Sequence, residues 1–355
     1  MSRVLVTGGA GFIGSTVVDE LSGRGHEVVV IDNLHPLAHH QQPDYLHPDA
    51  TYHWVDLRDA EAVEPLVAGI DVVCHQASMV GLGVDFDDVA DYVADNDLGT
   101  ANLLRALHRS SYAGRIVLAS SMVVYGEGRY RCTSHGVVRP GRRLAADLAA
   151  GRYEPPCPMC GAPLVDEVVP EDAPLEPRNV YAATKLHQEH LCQTYAADHG
   201  GTLIALRYHN VYGPRMPRDT PYAGVASIFR SSAERGEAPR VFEDGGQRRD
   251  FVHVADVARA NAAAIEAPPD ADGPCNVASG EPHTILDMAD ALVRAVSDAR
   301  PGAVCPAPVV VGGHRPGDVR HIVASPERAA SVLGFRAEVS FADGMRAFAV
   351  APLRG

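Results

Sequence analysis

No stretch of the 355-residue sequence approaches the roughly 18 consecutive apolar residues that cross a bilayer. No charged leader precedes the first apolar segment either, which starts at Val4 behind a single Arg3. The expectation is a cytoplasmic protein with no membrane partner. Positive charge is scarce: 31 Lys and Arg stand against 45 Asp and Glu, a formal net charge of −14. The clustered cations that bind phosphate backbones are therefore missing, and no nucleic-acid partner is expected. The seven cysteines, at 74, 132, 157, 160, 192, 275 and 305, are odd in number and have no secretory context, so no disulfide framework is expected. Internal repeats and low-complexity tracts are also absent. What remains, 46% hydrophobic and 21% charged, is an ordinary globular composition, long enough for one large α/β unit or two domains sharing an interface.

The segment 3–7 reads as a short buried strand that runs into Gly8-Gly9-Ala10-Gly11-Phe12-Ile13-Gly14 and then an apolar-periodic helix. Glycines at that turn let backbone N–H groups approach a pyrophosphate at a helix N-terminus, where the helix dipole favours anions. A second strand, 27–31, ends at Asp32, an acid placed to bond a ribose diol and to repel a 2′-phosphate, which favours NAD over NADP. Further strands are expected at 53–57, ending in Asp56 and Leu57, at 71–75, followed by Gln76-Ala77-Ser78, at 115–119 and at 203–208. A long helix is expected over 89–108, carrying Asn96. Continuous β-branched strands alternating with helices predict a parallel sheet covered on both faces.

Two further patterns carry chemistry. In Tyr181-Ala182-Ala183-Thr184-Lys185 the spacing places a phenol and an ammonium one helical turn apart. A lysine there can lower the tyrosine pKa toward the range of a useful base; a half-buried tyrosine beside a solvated lysine is the bland alternative. Cys132-x-x-His135-Gly136 and Cys157-x-x-Cys160-Gly161 have the spacing of two zinc knuckles closing on one structural zinc. Incidental reduced thiols or a Cys157–Cys160 redox pair are the alternatives.

The glycine turn, Asp32, Asp56-Leu57 and Tyr181 with Lys185, together with the segments 207–215, 249–256 and Arg315-Pro316-Gly317-Asp318, resemble the extended short-chain dehydrogenase/reductases, and among them the NAD-dependent epimerase/dehydratase family, over nearly the whole chain. The resemblance implies an α/β fold: a Rossmann-type NAD-binding domain over 1–210, with an insertion at 127–170 and a return at 250–275, and a smaller nucleotide-sugar-binding domain over 211–249 and 276–355. It implies that Ser121, Tyr181 and Lys185 are catalytic. It puts the turn residues Gly8, Gly11, Phe12, Ile13 and Gly14, then Asp32, Asn33, Asp56 and Leu57, and then Gln76, Ala77, Ser78 and Asn96 against the cofactor. Asn210, the backbone at Val241, Arg249, Arg315 and Asp318 would hold a UDP- or dTDP-hexose, and a homodimer is implied. Relatives that dehydrate or decarboxylate sugars carry acids in the two positions after Ser121, where this chain has Met122 and Val123. That favours a 4-epimerase; a 4-ketoreductase and a catalytically silent NAD-binding sensor are the alternatives. The Cys/His insertion with the segments 80–84 and 222–225 is similar to bacterial dTDP-L-rhamnose 4-epimerases, and His209 and residues 79–84 are expected near the hexose.

Overall fold

Seven segments stack into one parallel sheet. From edge to edge the strands are Thr51–Trp54, Glu27–Asp32, Arg3–Thr7, Val72–His75, Arg115–Ser121, Thr202–Tyr208 and Gly273–Val277. The computed structural model describes residues 1–39, 41–81, 86–218, 224–300, 302, 305–315 and 317–354. Successive side chains leave opposite faces of a strand, and here both faces are covered. Val4 and Val6 pack with Val17, Leu21, Val257 and Ala260, whereas Leu5 packs with Leu103, Leu107, Cys192 and Tyr195 on the other side. Chain order reverses between Arg3–Thr7 and Val72–His75. That is the switch point where the carboxyl ends of the strands open a crevice.

Three small sheets surround the large one. Asn210–Tyr212, Arg248–His253 and Pro282–Thr284 form the first, Arg240–Phe242 and Val309–Gly312 the second. They pack with the helices Val225–Glu234, Ile285–Ala299 and Phe341–Val350 around Phe229, Met288, Leu292 and Phe348. The helix Ile285–Ala299 begins at Thr284, whose hydroxyl and the Asp287 carboxylate cap each other's backbone N–H groups. The third sheet, Arg129–Cys132, Gly136–Val138 and Val165–Glu167, belongs to the Cys/His segment; its own core is only Tyr130, Cys132, Val138 and Cys157, with Leu164 against it.

The single helix expected over 89–108 is instead a short α-helical start, Val89–Tyr92, a π turn, Val93–Leu98, and an α-helix, Gly99–Arg109. A π turn adds a residue per turn and re-aims side chains; here it turns Asn96 toward the loop at 78–79. No helix among the described residues is long and apolar enough to cross a membrane.

Candidate active site

A cavity of about 1870 Å³ runs along the carboxyl ends of the strands and on between the two small sheets near Arg240 and Arg249. At one end the glycine turn forms its wall. A Cβ at Gly8, where φ is +69°, would lie 2.7 Å from the Ala77 backbone, and one at Gly14 would lie 2.0 Å from the Gly8 carbonyl oxygen, so neither position accepts a larger residue. The helix Phe12–Gly23 starts at Gly11 with no side-chain cap, leaving its first N–H groups for an anion. Asp32 closes this end, accepting from the Ala10 N–H at 2.9 Å and the Leu34 N–H at 2.8 Å.

Asp56 and Leu57 line the same end. The Asp56 carboxylate is engaged by Arg58 and by Asn33 Nδ2 at 2.9 Å, and the Arg58 hydrogen bond holds it down at about 2. Gln76, Ala77 and Ser78 line the floor. Asn96, expected against the cofactor, is fully buried behind that floor: its oxygen accepts from Ser78 Oγ (2.9 Å) and Met79 N (2.7 Å), and its nitrogen donates to the Met79 carbonyl (3.0 Å) and Thr184 Oγ1 (2.9 Å). With both ends of the amide satisfied, it braces the loop against the helix Val180–His199 rather than facing a ligand.

That helix starts at Asn179, whose side chain accepts from the Ala182 N–H at 2.8 Å, and this cap sets Tyr181 in the first turn. Tyr181, Lys185 and Ser121 meet at the cavity wall. The lysine shares the helix face of the phenol as expected, its Nζ 6.0 Å from the Tyr181 ring centre, and it donates to the Ala119 carbonyl at 2.9 Å. Burial pushes the phenol up to about 12, with the Ser121 hydroxyl opposing, and pushes the Lys185 amine down to about 7. The chain's own groups therefore leave the tyrosine protonated at neutral pH.

Lys185 is also the only lysine in the chain, every other cation among the 31 being arginine. That compositional signal singles out the site without any motif. It also gives a direct measurement: with 13C-labelled lysine the spectrum holds one Cε signal, and in the ligand-free protein its titration midpoint is about 7 rather than near 10.5. A midpoint above 10 would contradict the burial described here.

On the far side Asn210 and His209 line the cavity, and Asn210 Oδ1 is buried without a hydrogen-bond partner among the described residues. Orphaned polar atoms facing a cavity call for a polar ligand. Arg249 lines the cavity but already donates to the carbonyls of Arg248 (3.0 Å), Arg320 (2.9 Å) and Val319 (2.7 Å). Those bonds fix the loop that carries Asp318, itself a lining residue. Arg315 is exposed at the mouth, its guanidinium 5.0 Å from the centre of the Phe242 ring. Val241 is fully buried in the core with Phe229 and Met288, and strand alternation gives the cavity Arg240 and Phe242 instead. Of the segments expected near the hexose, residues 82–84, together with Tyr222, Ala223 and Pro316, lie outside the described residues.

The Cys132, Cys157 and Cys160 thiols and one His135 ring nitrogen all lie within 4.8 Å of one another. Cys132 Sγ is 3.5 Å from His135 Nδ1 and 3.8 Å from Cys160 Sγ, and Cys157 Sγ is 3.6 Å from His135 Nδ1. A zinc tetrahedron with bonds of about 2.3 Å to sulfur and 2.0–2.1 Å to nitrogen has edges of about 3.8 and 3.5 Å, so the four ligand atoms fit that ion. All seven cysteines are free, and Gly136 and Gly161 turn the two knuckles with φ of +67° and +71°.

The insertion also reaches the cavity. Arg142 lines it, and the neighbouring Arg143 donates to Glu243 at 2.9 Å and to the Asp318 carbonyl at 2.8 Å. Glu154 pairs with Arg320 and His321, and Asp166 with Arg248. Arg142, Arg178 and Arg354 are lining residues that the sequence reading missed. None sits in a recognisable motif, and only the long-range fold brings them to one wall.

Residues 4–140 and 157–278 match the sequence pattern of the NAD dependent epimerase/dehydratase family, and the break at 141–156 falls inside the Cys/His insertion. The chain is 34% identical to a dTDP-L-rhamnose 4-epimerase of Burkholderia thailandensis, over 97% of this chain and 93% of that protein. It is similar in structure to a UDP-glucose 4-epimerase of Thermus thermophilus solved with NAD (TM-score 0.72, 32% identity, 98% of this chain and 97% of that one). It is also similar to one from Thermotoga maritima solved with UDP-glucose (TM-score 0.76, 27% identity, 98% and 97%).

Proposed function

We propose, since the chain belongs to the NAD-dependent epimerase/dehydratase family, that it inverts C4 of a nucleoside-diphosphate hexose and keeps its NAD through the cycle. The observation that carries this reading is the pair following Ser121: Met122 and Val123 line the cavity beside Tyr181, and neither transfers a proton. Tyr181 is then the phenol beside Ser121 that handles the proton, and the chemistry reduces to that proton and a hydride. Bound NAD, held by the glycine turn and Asp32, supplies the hydride acceptor and donor and a positive charge beside the phenol.

In this reading Tyr181 takes the C4 hydroxyl proton and later returns it. Ser121 holds the sugar oxygen, and Lys185, 6.0 Å from the ring centre, would steady the ionised phenol by its charge. Asn210, Arg315, Asp318 and the neighbouring Arg142 grip the nucleotide diphosphate while the hexose turns over. Permanently charged arginines suit that grip. The Burkholderia relative favours a dTDP-linked deoxyhexose as substrate, and the Thermotoga structure a UDP-hexose. The four Cys/His ligands hold one structural zinc, and the free cysteines fit a reducing, cytoplasmic setting. A homodimer completes the reading, with Val93 and Leu98, 43% and 48% exposed, as apolar surface for it.

The test is incubation with dTDP-, UDP- and GDP-hexoses without added NAD(H), scoring C4 inversion. An epimerase turns over many equivalents. A ketoreductase stalls after one, and a sensor yields no product; either result overturns the proposal.

A further inference from the structure

Arg354 follows Leu353, which packs against the core around Phe348 and Met345. The segment is extended and pairs with the chain after Gly213: Arg215 N–H donates to the Pro352 carbonyl (2.9 Å), Arg354 N–H to the Met216 carbonyl (3.1 Å), and Arg218 N–H to the Arg354 carbonyl (2.9 Å). With Leu353 committed to the core, alternation sends the next side chain the other way, into the cavity wall.

There two of its guanidinium nitrogens have no protein partner among the described residues. Nε and Nη1 are buried without a hydrogen bond among the described residues, and no carboxylate there pairs with it. Donors of a half-buried cation left in that state are costly unless a ligand supplies acceptors for them. The nearby loop shows which ligand. His39, in the loop leading out of Asp32, is 7% exposed, has an unpartnered Nδ1, and is held near 4 by burial first and by the Arg354 charge second. A neutral ring nitrogen and a fixed cation thus border the Asp32 end of the cavity, which the glycine turn also lines.

We infer that Arg354 is a cofactor-retaining residue: it closes over the diphosphate of the dinucleotide at the end of the cavity that the glycine turn lines, with His39 beside it. The inference rests on the epimerase reading, in which the cofactor must outlast many turnovers. Arginine matches a diphosphate with a planar fork of donors, and the segment 352–354 ties this lock to the smaller sheets rather than to the nucleotide-binding turn.

The test is exchange of protein-bound NAD against excess deuterated NAD, followed by mass spectrometry of the holoenzyme. Arg354→Ala speeds exchange by roughly 10- to 100-fold, the factor of one or two charge-assisted hydrogen bonds. It leaves UDP affinity within about twofold. Arg354→Lys, which keeps the charge without the fork, falls between. Arg354→Gln serves the same comparison if the alanine variant does not fold. Unchanged exchange, or loss of UDP affinity with NAD retention intact, overturns the inference; the second outcome would give Arg354 to the substrate diphosphate. Wild-type protein that holds no NAD would instead overturn the epimerase reading.

Discussion

Tyr181→Phe lowers kcat on any accepted nucleotide sugar by about 10²- to 10⁴-fold, the usual contribution of a positioned acid–base group, and leaves bound NAD in place. The substitution removes one hydroxyl from a ring that packs against Tyr92, with ring centres 6.1 Å apart, so the helix start and its Asn179 cap persist. The wild-type rate rises with pH, the sign for a base whose working form is the ionised phenol, and the phenylalanine variant loses that limb. Burial alone pushes this phenol up to about 12, so the midpoint of the limb measures how far bound ligands and Lys185 bring it back down. Lys185→Met moves the limb to higher pH. A Tyr181→Phe enzyme with full activity would remove the phenol from the mechanism, leaving Ser121 as the remaining hydroxyl of the triad.

The parts of this molecule that were readable from sequence are those whose meaning is local. Arg3–Thr7 running into Gly8 and Gly11 is a strand, a tight turn and a helix wherever it occurs, and the Cys/His pairs bring ligands together within one turn each. Strand faces were not readable, because Val4, Leu5 and Val6 are all buried and the alternation that divides them between two cores leaves no mark in an unbroken apolar run. What takes each donor is not legible in sequence. Asn96 was expected against the cofactor, whereas the 78–79 loop and Thr184 use its whole amide, and Arg249 gives three of its N–H donors to carbonyls while still lining the cavity. At Tyr181 helical spacing did put Lys185 on the same face, whereas the Ala119 carbonyl that takes its hydrogen bond lies on a strand far away in sequence and was not legible.

Removing the zinc proposed for the Cys/His cluster is expected to strike the proposed substrate side and spare the cofactor side. The insertion's own core, four buried residues and Leu164, is too small to hold three short strands. Structural zinc in small modules contributes about 10–16 kcal/mol of apparent binding free energy at neutral pH, comparable to the whole stability of a domain, ~5–15 kcal/mol. Chelation, or Cys157→Ser, therefore opens residues 127–170. The opening breaks the Arg143 bonds to Glu243 and to the Asp318 carbonyl and the Glu154 pairs with Arg320 and His321. Arg143 and Glu243 have side chains 5% and 1% exposed, and splitting a buried pair of this kind costs about 3–5 kcal/mol. The strand Arg240–Phe242 and the loop at 318–321 lose their outer support, and Arg142 leaves the cavity wall. KM for the nucleotide sugar rises by ~10-fold or more, since 1.4 kcal/mol already suffices for that factor, and trypsin cuts among the arginines at 139–152. NAD content does not change, because the glycine turn and Asp32 stand at the other end of the cavity. Metal-free protein with an unchanged KM would show that the insertion is only attached to the substrate side and does not shape it.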